Sequence, residues 1–181
     1  MTNKTMATLD TLLAQVCEMN SLTEPLPGVS KVEVRAALRS IGLEAPDWLS
    51  EIYQWHNGIW EINALVAFLP LAEAVSTYTN YRALKEDIGD LGWQPSWFPL
   101  IDMNGNVQLC VDVVTGEMHA VDIEFGRVTR LTSHFENLVA AIAELFKQEA
   151  YSFDEAAGNI EPDAAIWSGL QRKYGIADPG W

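Results

Sequence analysis

The residues most able to do chemistry in this 181-residue chain are its three histidines, His56, His119 and His134, and its two cysteines. None of the histidines stands at the H-x-x-x-H spacing or a similar ligand spacing, so the sequence predicts no metal site. Cys17 and Cys110 lie far apart and match no metal or redox motif, which predicts two reduced thiols.

His119 has one candidate partner for catalysis. If Thr115-Gly116 forms a two-residue turn, Asp112 lies opposite His119 across a hairpin, and a carboxylate there can orient a histidine for acid–base work. Such a pair is more often a cross-strand polar contact, and a bulge would change the register. Cys110 with His119 is a second candidate dyad, but nothing in the pattern orients it. The chain has no nucleophile elbow, phosphate loop or zinc motif, so it predicts no cofactor and no enzyme.

Charge is the strongest compositional signal. The chain carries 25 acidic and 11 basic residues, a net charge of −14, and residues 40–126 hold 13 of the acidic residues against two basic ones. Such a protein repels nucleic acid and anionic membranes and attracts a basic partner. The plainer interpretation is that the charge only keeps the protein soluble. No run of about 18 apolar residues appears and the first 15 residues make a poor signal peptide, which predicts a cytoplasmic protein.

The elements that must position these residues follow from the hydrophobic pattern. Helical spacing predicts helices at about residues 8–19, 30–41, 46–56, 71–85, 135–146 and 162–173. Ser30 with Glu33 and Ser133 with Glu136 match the S-x-x-E capping box. Between the helices, residues 21–30 predict a loop, and the runs IWEI and LVAFLPL, residues 59–62 and 65–71, predict two short strands. The apolar runs from residue 98 to 131 predict a three- or four-stranded antiparallel meander. This order indicates the α+β class, a mainly antiparallel sheet packed against several helices.

The run APDWLSEIYQWHNG, residues 45–58, concentrates aromatic side chains on one short helix. Aromatic residues at helical spacing are more often core than ligand box, so we expect this helix to plug the hydrophobic core. Asn57-Gly58 is expected to end it, because both residues tolerate a left-handed backbone.

The order and spacing of these elements resemble the SUKH superfamily, the Smi–Knr-like domain. The resemblance rests on VEVRAALRSIGLEAPDWLSEIYQWHNG, WFPLIDMNGNVQLCVDVVTGEMHAVDIEFG and SHFENLVAAIAELF, and it covers roughly residues 30–148. The matching positions are Gly42, Pro46, Tyr53, Asn57, Gly58, Trp93 or Trp97, Pro99, Gly105, Asp112, Gly116 and the helix start at Ser133–Phe135. It implies a core domain at 30–148, an N-terminal helical extension at 1–29, and a C-terminal extension at 149–181 that packs on the core.

The resemblance implies a non-enzymatic interaction protein, since many bacterial members resemble immunity proteins that bind and block secreted toxins, often nucleases. We therefore expect a basic toxin domain as partner; a regulatory scaffold is the first alternative and a small enzyme using Asp112 and His119 the second. The residues expected to be structural are Pro46, Trp48, Tyr53, Asn57, Gly58, Pro99, Gly105 and Gly116. Those expected to bind the partner through an acidic face are Asp112, Glu117, Asp122, Glu124, Glu61 and Trp60.

Overall fold

The computed structural model describes residues 2–88 and 92–178, with the backbone alone for 86–88. Its elements, in chain order, are α1 Asn3–Met19, β1 Glu24–Pro27, α2 Lys31–Ser40, α3 Asp47–Trp55, β2 His56–Asn63, β3 Val66–Phe68, α4 Leu71–Ile88, β4 Trp97–Met103, β5 Val107–Asp112, β6 Met118–Asp122, β7 Arg127–Thr132, α5 Phe135–Lys147, β8 Tyr151–Asp154, β9 Asn159–Pro162 and α6 Ala164–Tyr174.

A seven-stranded antiparallel sheet organises the fold, with β1 to β7 paired in chain order. The predicted α+β class with a mainly antiparallel sheet is therefore confirmed. The sheet is longer than the predicted meander, because the two short strands predicted at residues 59–62 and 65–71 belong to it as β2 and β3. The extra length includes β1, which lies in the predicted loop at residues 21–30. Pro25 and Pro27 fit this edge strand because an outer strand can leave its N–H side without a ladder partner.

Helices cover both faces of this sheet. On one face the Tyr53 ring of α3 packs 5.0 Å from the Phe68 ring and 6.4 Å from the Phe98 ring. On the other face lies α4, whose Tyr81 approaches Cys110 of β5. Strands β5 and β6 are consequently buried along nearly their whole length instead of alternating between buried and wet residues.

One of the two predicted capping boxes forms. Ser30 Oγ accepts a hydrogen bond from Glu33 N at 3.3 Å, and Ser30 N donates to Glu33 Oε2 at 2.9 Å. The prediction for Ser133 and Glu136 is wrong, because α5 begins one residue later with His134 at its N-cap. Glu136 is then the second helical residue, one position short of the geometry that a capping box requires.

The junction between α3 and β2 also differs from the prediction. The helix does not end in a left-handed turn at Asn57-Gly58, because His56 is already extended and begins β2. Asn57 Oδ1 instead accepts a hydrogen bond from Leu71 N at 3.0 Å. Gly58 has φ 102°, and a Cβ there would lie 2.7 Å from Pro70 N. The two residues therefore hold the beginning of β2 in close contact with the beginning of α4.

The aromatic helix α3 divides its side chains between core and rim. Tyr53 is fully buried and its hydroxyl donates to Leu69 O at 3.2 Å, which confirms it as a core plug. Trp48 is half-buried and stacks on Phe135 of α5 with 6.5 Å between ring centroids. Pro46 caps this helix without a side-chain hydrogen bond and Pro99 is fully buried in β4, so both residues have the structural setting expected of them.

Candidate functional site

Three strand ends carry the same sequence pattern, an aspartate followed four residues later by a glycine. The pattern occupies Asp112–Gly116, Asp122–Gly126 and Asp154–Gly158. In each turn the aspartate carboxylate accepts a hydrogen bond from a backbone N–H two or three residues ahead, and the glycine has a left-handed backbone with φ between 62° and 80°. These aspartates shape turns. The repeated pattern is visible in the sequence and would have identified the role of these aspartates.

Asp122 does not fit the expected solvated acidic face. Its exposed fraction is 4%, and its Oδ1 accepts a hydrogen bond from Phe125 N at 3.1 Å. The expectation that Asp122 belongs to an acidic face open to a partner is wrong, because helices cover both faces of the sheet and this carboxylate is buried. Asp112 has a similar role, since its Oδ1 accepts from Val114 N at 2.8 Å and its Oδ2 accepts from Ser96 Oγ at 3.2 Å.

The six residues expected to form one acidic face lie in three separate places. Asp112 and Glu117 meet at one end of β6, where Asp112 N donates to Glu117 O at 2.8 Å. Asp122 and Glu124 lie at the other end, roughly 17 Å away for five residues of extended strand. The remaining two, Trp60 and Glu61, stand in β2, four strands away from β6 in the sheet. The structure does not bring these three places together.

The candidate pair of Asp112 and His119 does not form across the hairpin. Four residues, 113–116, make the turn instead of two, so the register places Cys110 opposite His119 and aligns Asp112 with Glu117. Cys110 is fully buried and burial raises the pKa of its thiol, which leaves it protonated and a poor nucleophile. The hairpin therefore offers neither of the two dyads in an activated form.

His119 lies instead in an aromatic and ionic cluster. Its ring stacks on Trp97 with 3.8 Å between centroids and 13° between planes. Glu117 Oε2 lies 3.8 Å from His119 Nε2, and Glu117 Oε1 accepts a hydrogen bond from Arg130 at 2.5 Å. Burial lowers the pKa of His119 although Glu117 opposes the shift, so the imidazole is neutral at pH 7. The cluster joins β4, β6 and β7 as a structural contact.

A different feature gathers exposed side chains at one end of the sheet. The turns β2–β3, β4–β5 and β6–β7, residues 63–66, 103–107 and 122–127, lie side by side and are called here the turn surface. Asn104 N donates to Leu65 O at 2.7 Å and Ile123 N donates to Asn106 O at 3.2 Å, which joins the three turns. Five strand spacings of about 4.8 Å give this row a width of roughly 24 Å.

The turn surface presents apolar side chains to solvent. Of the six large apolar side chains that are exposed in the described residues, three lie here: Leu65 at 71%, Phe125 at 62% and Met103 at 37%. Hydrogen bonds within two of these turns fix the backbone that carries the exposed side chains. Asp122 Oδ1 accepts from Phe125 N, and Asp102 Oδ1 accepts from Gly105 N at 3.1 Å in the turn that contains Met103. Exposed apolar side chains scattered singly are ordinary, whereas these three lie on adjoining turns at one end of the sheet.

Carboxylates lie among these apolar groups. Glu124 is exposed and its Oε2 accepts from Asn106 Nδ2 at 2.7 Å, while Asp102 stands beside Met103. The Arg127 guanidinium lies 4.8 Å from the centroid of the Phe125 ring. This contact shows that the Phe125 ring is placed where it can accept a cation on its face.

No protein-family model matches the chain, and no curated protein matches it. The resemblance to the SUKH superfamily therefore stays a prediction. Within residues 2–88 and 92–178 there is no group of three or more metal-ligating side chains placed to hold an ion. The helices of the same residues include none that is both long and apolar enough to cross a bilayer.

Proposed function

We propose that this chain is a cytoplasmic, non-enzymatic interaction module that binds a basic protein domain through the turn surface. The observation that carries the proposal is the row of three hydrogen-bonded turns that exposes Leu65, Met103 and Phe125 beside carboxylates. The biological role that we propose is that of an immunity protein, whose bound partner is a toxin domain held inactive.

The width of the turn surface supports a partner protein that forms an interface of standard area. A standard interface covers about 800 Å² on each partner, which corresponds to a patch roughly 30 Å across. The row of turns, roughly 24 Å wide, fills most of that span. Aromatic and methionine side chains are enriched at the centre of such interfaces, where Phe125 and Met103 would be desolvated together.

The charge of the chain supports a basic partner. Among the described residues, ion pairs engage at least five basic side chains, which are Lys31, Arg35, Arg39, Arg130 and Lys173. Ion pairing within the chain does not change its total charge, so the net charge of −14 remains and attracts cations toward the protein surface. The Glu124 carboxylate offers a lysine or arginine of the partner a counter-charge, and the exposed Phe125 ring, one face of which is covered by Arg127 of the same chain, offers an apolar contact.

The test begins with a partner captured from the organism that encodes the chain and identified by mass spectrometry. The purified partner is then expressed in a host cell alone, with the parent chain, or with a variant. We expect the partner to stop growth and the parent to restore it. Phe125→Ser and Glu124→Lys should fail to restore growth, because each removes one of the two partner contacts that the turn surface provides.

Two matched variants control for changes in folding and in charge. Val114→Ser removes an apolar side chain that is 80% exposed, against 62% for Phe125, from the turn at the opposite end of β6. Glu73→Lys makes the same charge change as Glu124→Lys on α4. Both should protect as well as the parent does. Protection by Phe125→Ser and Glu124→Lys would exclude the turn surface. If the captured basic partner binds at the turn surface and does not harm the cell, the scaffold role would replace the immunity role as the proposed function.

A further inference from the structure

A large cavity extends into the molecule from the region of Met103, which belongs to the turn surface. It separates one face of the sheet from helices α1 and α5 and has a volume of about 420 Å³. Leu12 of α1, Val139 of α5 and Leu109 of β5 line three of its sides. Small-molecule sites in proteins typically measure about 300–1,000 Å³, so this volume lies in the range of a ligand site.

The cavity wall offers a ligand almost no polar contact. Its described lining contains no charged side chain, and Asn63 is its only amide. Asn63 is already satisfied, since Nδ2 donates to Ile160 O at 3.1 Å and Oδ1 accepts from Ala64 N at 2.9 Å. Trp55, one of two lining tryptophans, donates its Nε1 to Asp10 at 2.7 Å. An ion placed here would lose its hydration without gaining a partner, which excludes charged ligands.

The opening of the cavity adds a second reason to exclude anions. Met103 and Pro162 are the exposed members of its described lining and mark where it reaches the surface. Asp102 precedes Met103 in the chain, and Glu161 and Asp163 flank Pro162. An approaching anion would therefore meet carboxylates first, whereas a neutral molecule would not be repelled.

We infer that this cavity binds one neutral, largely hydrocarbon small molecule. An engineered cavity of about 150 Å³ in another protein holds one benzene ring, or roughly 25 Å³ for each non-hydrogen atom. On the same scale about 420 Å³ accommodates a molecule of about 17 non-hydrogen atoms. The inference does not depend on the protein partner proposed above, because it uses none of Leu65, Phe125 and Glu124, although Asn63, Val66 and Met103 belong both to the cavity lining and to the turn surface.

The experiment uses N-phenyl-1-naphthylamine, a neutral fluorescent arylamine of about 17 non-hydrogen atoms, the size derived above. We expect saturable binding of one molecule per chain with a dissociation constant on the order of 10–100 µM, as for a ligand of this size held by apolar contacts. Its anionic analogue 8-anilinonaphthalene-1-sulfonate shares the ring system and should bind at least about tenfold more weakly, because the cavity offers its sulfonate no partner.

Two variants locate the probe. Val66→Phe on β3 and Leu13→Trp on α1 fill the cavity from opposite sides, and Val114→Phe adds the same bulk as Val66→Phe on an exposed turn far from it. Either cavity variant that melts cooperatively should bind the neutral probe at least about tenfold more weakly than the parent, while Val114→Phe should match the parent. Absence of saturable binding to the parent would overturn the inference, as would equal binding by a folded cavity variant and Val114→Phe.

Discussion

Truncation of Tyr53 measures how much the aromatic helix α3 contributes to the fold. The side chain is fully buried between Phe68 and Phe98, and its hydroxyl donates to Leu69 O. A buried aromatic ring removes about 150–250 Å² from water, worth roughly 4–6 kcal/mol at about 25 cal/mol/Å². Measured aromatic-to-alanine changes in cores cost about 3–5 kcal/mol, so we expect Tyr53→Ala to lose about 4 kcal/mol.

Tyr53→Phe separates the ring from the hydroxyl. It keeps the packing and removes one hydrogen bond, which should cost about 1 kcal/mol. For a chain of this length each kcal/mol lowers the melting temperature by about 2–4 °C. Thermal unfolding followed by circular dichroism should therefore show losses of about 8–16 °C for Tyr53→Ala and about 2–4 °C for Tyr53→Phe.

Trp48→Ala serves as the control on the same helix. Because Trp48 is half-buried with one stacking contact to Phe135, its loss should fall clearly below that of Tyr53→Ala. A melting temperature of Tyr53→Ala equal to that of the parent would refute the core-plug interpretation. Equal losses for Tyr53→Ala and Tyr53→Phe would show that the hydrogen bond, and not the ring, holds α3 in place.

Two further predictions concern backbone packing and pH. A Cβ at Gly28 would lie 1.9 Å from Gln54 O, so Gly28→Ala should lower the free energy of unfolding by about 3 kcal/mol or more in chemical denaturation. Gly169 lies in α6, and no atom of the described residues outside that helix lies within 4 Å of a Cβ built there. Gly169→Ala should therefore raise the free energy of unfolding by about 1 kcal/mol. Burial lowers the pKa of His119 below its usual 6.5, so below that pH the unfolded chain binds the proton more readily and stability falls as pH falls. The parent should therefore lose more stability than His119→Gln between pH 7 and 5, and parallel losses in urea unfolding would contradict this.

The helices and the glycines of the turns were predictable because they depend on residues that are close together in the sequence. The capping box at Ser30 forms as its spacing predicts, and helical periodicity located Tyr53 in the core. The edge strand β1 was missed because its two prolines are typical of loops, and only the neighbouring strand β2 shows that an edge position tolerates them. The hairpin β8–β9 was missed because its strands are four residues each with little apolar alternation.

The candidate site was harder to predict because it depends on contacts between distant residues. A strand pattern predicts a solvated Asp122, yet helices cover both faces of the sheet and its exposed fraction is only 4%. The turn surface joins Leu65, Met103 and Phe125, which lie on three turns up to 60 residues apart in the chain. The sequence of a single turn does not show that the three turns are neighbours. The antiparallel order of the strands places them at the same end of the sheet.

We propose that the turn surface, and not the overall charge, recruits a basic partner. The most direct test of this proposal compares the association rates of Glu124→Lys and Glu73→Lys with the captured partner at low and at high salt. Both variants change the net charge equally, but only Glu124 lies on the turn surface. We expect Glu124→Lys to associate at least about tenfold more slowly than Glu73→Lys at low salt, with the difference shrinking as salt screens the charges. Equal association rates for the two variants at low salt would contradict the account.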